Sequence, residues 1–166
     1  MKIKRFVIGD LRTNCYIIIK NKDCLIIDPA GDSKRIKEET KGLTVREILV
    51  THHHFDHIGA LEELEEYYHL KHNTFTKFFP YEIIKTPGHT SDSLTFYFPK
   101  EKIMFSGYFL FKNTIGRWDL DTGSIESMQE SLKKIATYPI EITIYPGHGP
   151  STTLREEIPF FNLYFQ

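Results

Sequence analysis

Cysteine is scarce in this sequence. Two thiols, Cys15 and Cys24, cannot build the disulfide framework of a small secreted domain, and neither stands at metal-ligand spacing from another cysteine. They fall on segments read as neighbouring strands, so a bridge is geometrically conceivable, but buried free thiols in a reducing compartment are the expected state. Long apolar runs are missing too. No stretch reaches membrane-spanning length, and Met1–Phe6 lacks the apolar core of a secretory leader, so the expectation is a soluble cytoplasmic protein. Neither sign of charge is in surplus. Lys and Arg number 21 against 22 Asp and Glu, well mixed, which predicts no nucleic-acid face and no membrane patch. Internal repeats and low-complexity tracts are absent. What remains is a globular composition, 40% hydrophobic, in 166 residues. That length predicts a single domain over 1–161. Residues 162–166 resemble the remnant of a tag-removing protease site, with Phe161 where that site has Glu, and carry no functional weight.

Hydrophobic spacing gives the order of elements. Residues 2–8 and 13–20 read as strands about a turn at Gly9 and Asp10, and 24–28 as a third strand ended by Pro29. A short polar helix is read over 33–40 and a strand over 47–50. Ile58, Leu61, Leu64 and Tyr68 recur at spacings of three and four, predicting an amphipathic helix over 58–70. Strands are predicted at 74–79, 81–85, 93–98 and 102–105, the last two forming a hairpin around Pro99 and Lys100. Ile125, Met128, Leu132 and Ile135 share one face of a helix predicted over 124–138, and 142–145 is a further strand. Many strands with helices between them predict an α/β protein of two helix-covered sheets.

Histidine is concentrated. Thr51-His52-His53-His54-Phe55-Asp56-His57 sits where an apolar strand ends and a helix begins, the place where open α/β folds put their sites. In extended chain alternate side chains point the same way, so His52 and His54 can converge on one ion. Asp56 and His57, past the bend, can face a second. Pro87-Gly88-His89-Thr90 and Pro146-Gly147-His148-Gly149 each follow an apolar, strand-like run. Five histidines and an aspartate at strand ends form a constellation rather than a single motif match. His53 points away by alternation, and His69 and His72, with no partner motif, are read as surface residues.

From Asn14-Cys15-Tyr16 to His148 the sequence resembles the metallo-β-lactamase superfamily, and within it the small hydroxyacylglutathione-hydrolase-like (glyoxalase II-like) enzymes. The resemblance is carried by Ile27-Asp28-Pro29 with Gly31, the Thr51 to Gly59 motif, Pro87-Gly88-His89-Thr90, Ser106-Gly107 followed by Leu110-Phe111, Gly116-Arg117, and Pro146-Gly147-His148-Gly149. It implies a four-layer αβ/βα sandwich, two mixed sheets flanked by helices, with metals at one edge. It implies one metal on His52, His54 and His89, and another on Asp56, His57 and His148, with Asp28 ordering the histidine loop. The segment between His57 and His89 is short for the family. One departure stands out: the family writes Gly-Asp, with the Asp bridging both metals, where this chain has Gly107-Tyr108. Losing that carboxylate leaves one more uncompensated positive charge, so the second ion is expected to bind more weakly. Tyr108 can ligate, plug the site or swing out of it.

An imidazole-rich set with one carboxylate and no thiolate suits Zn²⁺, as one or two ions, with Fe or Mn as alternatives. Three protein ligands and an open position make the catalytic pattern. The expected activity is a metal-dependent hydrolase in which metal-bound hydroxide attacks an acyl carbonyl, with a small-molecule thioester as substrate. Asp56 would orient the hydroxide as well as hold metal. Tyr108 would donate to a substrate oxygen or merely fill the missing carboxylate's space. Lys112 and Arg117 are candidate contacts for an anionic substrate group, or ordinary surface cations. The alternatives are phosphodiester hydrolysis on the same metals and a catalytically impaired metal-binding protein blocked by Tyr108. Persulfide dioxygenase chemistry ranks low because its iron needs a carboxylate at position 108.

Overall fold

The computed structural model describes residues 1–165, so the predicted tail of 162–166 falls partly outside the described residues. The chain divides into two compact units, Met1–Phe79 and Pro80 onward. Each has its own sheet and helices.

In the first unit, strands β1 (Lys2–Ile8), β2 (Thr13–Lys20) and β3 (Asp23–Ile27) run antiparallel in sequence. Their connections turn through left-handed residues: Gly9 and Arg12, then Asn21, where small or hydrogen-bonding side chains tolerate positive φ best. Helix α1 (Ser33–Glu39) then carries the chain across to β4 (Thr44–Leu49), parallel to β3. The sheet order β1-β2-β3-β4 leaves β1 and β4 at the margins. The inner strands are apolar without interruption: Cys15 to Ile18 and Cys24 to Ile27 are all buried. Such strands have both faces covered. One face packs Phe6, Cys15, Ile17, Cys24, Ile26 and Ile48 against Ile36 of α1 and Leu61 and Leu64 of α3 (Leu61–Tyr68). Cys15 and Cys24 are free and buried. Cys24 pairs with Ile19, which puts Cys15 four positions further along β2. That is about 13 Å at the usual strand rise, too far for a bridge.

Two predictions fail in this unit. The helix predicted over 58–70 is broken into α2 (Phe55–Ile58) and α3. The cause is a close approach. Ala60 donates its N–H to the carbonyl of Pro29 at 2.9 Å, and a Cβ on Gly59 would lie 2.2 Å from the Ala30 oxygen. The strand predicted over 74–79 does not form. Asn73, Phe75 and Lys77 have φ of 50°, 49° and 56°, which no strand accommodates. The segment is held by side chains instead. The buried Glu47 carboxylate accepts from the Thr76 hydroxyl and, at 3.2 Å, from the Phe78 N–H.

The second unit has sheet order β11-β10-β7-β6-β5, built from β5 (Glu82–Lys85), β6 (Leu94–Phe98), β7 (Ile103–Gly107), β10 (Thr143–Pro146) and β11 (Thr152–Thr153). Only the β7–β10 pair is parallel. A small hairpin, β8 (Leu110–Phe111) and β9 (Thr114–Ile115), stands apart from the sheet. Helix α4 (Ile125–Ile135) is capped by Ser124, which accepts the Ser127 N–H at 3.1 Å. It ends three residues before the predicted Tyr138. Met128, Leu132 and Ile135 pack with Ile84, Met104 and Ile144. Helix α5 (Leu154–Phe161) was not predicted. It opens with a capping box between Thr153 and Glu156 and buries Leu154 and Phe161. Glu157, also buried, accepts from the Thr152 hydroxyl at 2.5 Å and the Asn113 N–H at 2.8 Å, tying the small hairpin to α5. Among the described residues, no helix is long and apolar enough to cross a membrane.

Candidate metal centre

In each unit a parallel strand pair delivers predicted site residues from its carboxyl ends, where backbone ladders stop and side chains can converge; His89 instead follows the antiparallel edge strand β5. In the first unit the pair is β3 and β4. Asp28 follows β3 with φ of 51°, and its N–H still bonds the Leu49 carbonyl at 2.9 Å. Its carboxylate is 2% exposed and accepts three bonds: the Thr51 N–H at 2.7 Å, the Thr51 hydroxyl at 2.7 Å, and Nδ1 of His57 at 2.8 Å. An acceptor on Nδ1 fixes the proton there and makes Nε2 of the buried His57 the lone-pair nitrogen. Nε2 in turn lies 3.5 Å from Oδ2 of Asp56. That oxygen accepts the Thr13 hydroxyl at 2.8 Å. The His52 ring lies 4.8 Å from that of His54 and 4.2 Å from that of His57, centroid to centroid. Four donors therefore gather within this unit. Thr13, fully buried at the start of β2, is a contributor that sequence spacing did not reveal.

In the second unit α4 shapes the turn that carries His89. The Ser131 hydroxyl donates to the Pro87 carbonyl at 2.7 Å, and the Ser124 N–H donates to that of Gly88 at 2.9 Å. Gly88 sits so close to the helix that a Cβ would lie 2.7 Å from Cα of Met128. Nδ1 of His89 donates to the Arg117 carbonyl at 2.7 Å, again leaving Nε2 as the lone-pair nitrogen. Arg117 thus reaches the site through its backbone. Its guanidinium is engaged by both oxygens of Asp119 at 2.7 and 2.8 Å, and that pairing holds the Asp119 carboxyl down at about 2. Lys112 lies exposed in the turn of the small hairpin. Tyr108 and His148 follow the adjacent parallel strands β7 and β10, and the Gly147 N–H bonds the Gly107 carbonyl at 2.7 Å. The Tyr108 ring stacks on His89 at 4.0 Å and meets His148 edge-on at 5.1 Å. It fills the space between the two imidazoles of this unit. Gly116 makes room for it: a Cβ there would be 1.8 Å from the Tyr108 carbonyl oxygen.

The donors gathered in the two units are imidazole nitrogens and one carboxylate. In His57 and His89 the proton is held on the nitrogen that faces away from the ligand role. This chemistry fits a divalent transition ion. The sequence pattern of the metallo-beta-lactamase superfamily matches residues 8–72 and 77–148. The chain belongs to the metallo-beta-lactamase superfamily. It is a metal-dependent hydrolase of that superfamily. The internal stretch left unmatched, residues 73–76, lies in the irregular segment where the predicted strand fails. A relative from Bacillus subtilis (strain 168), the probable metallo-hydrolase YqgX, is 32% identical over 98% of both chains. Its alignment runs over 207 positions against a chain of 166, so YqgX carries stretches that this chain lacks. The hydroxyacylglutathione hydrolase GloC of Haemophilus influenzae is 28% identical over 98% of this chain and 99% of its own. Among solved structures, the B3 metallo-beta-lactamase BLEG-1 superposes with a TM-score of 0.89 at 27% identity, covering 99% of this chain and 100% of that one. The protein TTHA1623, solved in a di-iron-bound form, superposes with a TM-score of 0.85, with 28% identity over 93% of this chain and 96% of its own. The neighbours show the metallo-beta-lactamase fold, and a divalent metal is the cofactor class they support.

Proposed function

We propose that this hydrolase cleaves a small acyl thioester at a centre of one or two divalent ions, Zn²⁺ foremost, with His52, His54 and His89 serving one ion and Asp56, His57 and His148 the other. The carrying observation is the fixed tautomer of His57 and His89: in each ring an oxygen acceptor holds Nδ1–H, so Nε2 is presented as ligand. Similarity to a hydroxyacylglutathione hydrolase over nearly the whole chain supports the thioester substrate. If held there, a divalent ion would supply Lewis acidity, lowering the pKa of water to about 7 and polarising an acyl oxygen. The chain's own residues do the rest. Asp28 and the Arg117 carbonyl keep protons off the ligand nitrogens. Thr13 holds one oxygen of Asp56, which would orient the attacking hydroxide as well as hold metal. A thiolate leaves readily, so no strong general acid is required. Two buried free thiols fit a reducing, cytoplasmic setting.

A second reading has its own observation. Tyr108 packs against both His89 and His148, at the position of the family's bridging carboxylate, and a ring there can obstruct the centre. One comparison separates the readings. Metal content and hydrolysis of a 2-hydroxyacyl-glutathione thioester are measured for the wild type, His54→Ala and Tyr108→Asp. Thioesterase activity that falls by about 100-fold or more in His54→Ala supports the proposal. Activity seen only in Tyr108→Asp, with a gain in bound metal, supports obstruction. Metal-loaded wild type that cleaves chromogenic phosphodiesters but no thioester overturns the substrate assignment.

A further inference from the structure

A second pair of histidines lies outside the candidate centre, within the first unit. Exposed His53 and half-buried His72 face each other through their Nε2 atoms at 3.1 Å, with ring centroids 5.2 Å apart. Nδ1 of His72 donates to Oε1 of Glu65 at 2.7 Å, so Nε2 of His72 carries a lone pair. The pair is built rather than incidental. Oε1 of Glu65 also accepts the backbone N–H of His72 at 2.7 Å, and Oε2 accepts Nζ of Lys71 at 3.1 Å. The next residue, Asn73, donates its N–H to the Ile48 carbonyl at 2.9 Å. Its side chain accepts the Val50 N–H at 2.9 Å and donates to the Val50 carbonyl at 3.0 Å. These bonds fasten the chain around His72 alongside β4 and fix that ring opposite His53.

Two imidazole nitrogens bound to one tetrahedral Zn²⁺ lie about 3.3 Å apart, close to the separation found here. In the present geometry one proton is shared between the two Nε2 atoms. A cation can take its place, the proton passing through solvent to Nδ1 of His53. A ligand histidine whose other nitrogen is held by a carboxylate is the arrangement that metal sites use to aim and strengthen the ligand. We infer that His53 and His72 form a solvent-facing site for a divalent transition metal, with Glu65 orienting His72 and water completing the coordination. Because His53 stands between His52 and His54, a cation at this outer site ties the segment bearing those two residues to the chain at His72. Excess metal then has a handle on the catalytic segment that is separate from the catalytic ions. The inference does not depend on the substrate proposed above.

The test is equilibrium dialysis of the metal-loaded, full-length protein against free Zn²⁺, with elemental analysis. One ion per chain beyond the centre's complement is expected in the wild type. His53→Ala and His72→Ala should each lose it, and Glu65→Gln should weaken it about 10-fold. His54→Ala, altered at the centre, should keep the outer ion. Cu²⁺ placed at the outer site should show nitrogen hyperfine coupling from two imidazoles by electron paramagnetic resonance, lost in His72→Ala. Wild type that takes up no further ion even at about 1 mM free Zn²⁺, the weak-binding limit for a two-imidazole site, overturns the inference. So does a further ion bound as tightly by His72→Ala, or copper coupling that His72→Ala leaves unchanged. Thermal melts of each variant establish that it is folded, and because both rings are surface-accessible, substitution leaves the core intact.

Discussion

Replacing Asp28 by asparagine keeps the side chain's size and removes half of its accepting capacity. In the structure Oδ1 takes the Thr51 N–H, while Oδ2 takes both the Thr51 hydroxyl and Nδ1–H of His57. With an NH₂ group in the second position, the Thr51 hydroxyl can rotate and accept. His57 cannot accommodate it in the same tautomer, because Nδ1–H would point at another N–H. A buried donor stranded in this way costs about 1–3 kcal/mol. The ring escapes that cost by moving its proton to Nε2 and accepting at Nδ1, and in doing so it stops being a metal ligand. Flipping the amide instead strands the Thr51 N–H, which has no tautomer to offer. The expected outcome is therefore lopsided. In chelator, Asp28→Asn should melt within about 3 °C of wild type, since 1 kcal/mol is worth about 2–4 °C in a chain of this size. Zinc affinity at the His57 site should fall about 10–100-fold. Competition against a chromophoric chelator reads the affinity, and melts with and without Zn²⁺ read the stability. Wild-type affinity in Asp28→Asn, or an equal stability loss in chelator and in zinc, would refute the tautomer argument.

Three further outcomes are expected. Thr13→Val removes one hydroxyl from Asp56 without changing shape. A hydrogen bond to a charged group is worth about 1.5–3 kcal/mol, so the same chelator competition should show roughly 10-fold weaker metal binding or more, and unchanged affinity would dismiss Thr13 as a positioning residue. Gly59→Ala forces a methyl group against the Ala30 carbonyl and should lower stability by about 2–4 kcal/mol in urea unfolding; an unshifted midpoint would deny that close approach. Burial alone would raise the Glu65 carboxyl, but the His72 N–H, the His72 ring and Lys71 outweigh it and bring it to about 2 from 4.5. A carboxyl lowered by folding adds stability that is complete above about 4.5 and fades as pH falls through about 2. Glu65→Gln should thus be less stable than wild type at pH 7, on the order of 2 kcal/mol, with the gap closing towards pH 2; a gap that stays constant with pH would contradict this.

The sequence made the strands of the first sheet legible because their apolar runs are long and their turns carry Gly9 and Asn21. It made the histidine cluster legible because ligand chemistry concentrates rare residue types in a few positions. What it hid depends on distant partners. The break at Gly59 follows from the Ala30 carbonyl, and nothing in the local periodicity announces it. The run 74–79 has strand-forming residues, yet Glu47, far back in the chain, captures it in a left-handed path. Thr13 and Asp56 are separated by 43 positions, so their bond has no local signature. Helix α5 could have been found: Thr153 and Glu156 spell a capping box, although Pro159 argues against a helix. Position 108 was legible only as a departure. That Tyr108 lies between His89 and His148 required coordinates.

Strand β4 is a margin of its sheet, and margins invite partners. Here Asn73 occupies the backbone groups of Ile48 and Val50, while Glu47 pulls the following residues over the same flank. The opposite margin, β1, carries Lys2, Lys4 and Arg5. One border is latched by an irregular strap and the other is guarded by cations, so neither offers a neighbouring molecule a strand to extend. Damage to the strap would announce itself as polymerisation before it registered as unfolding.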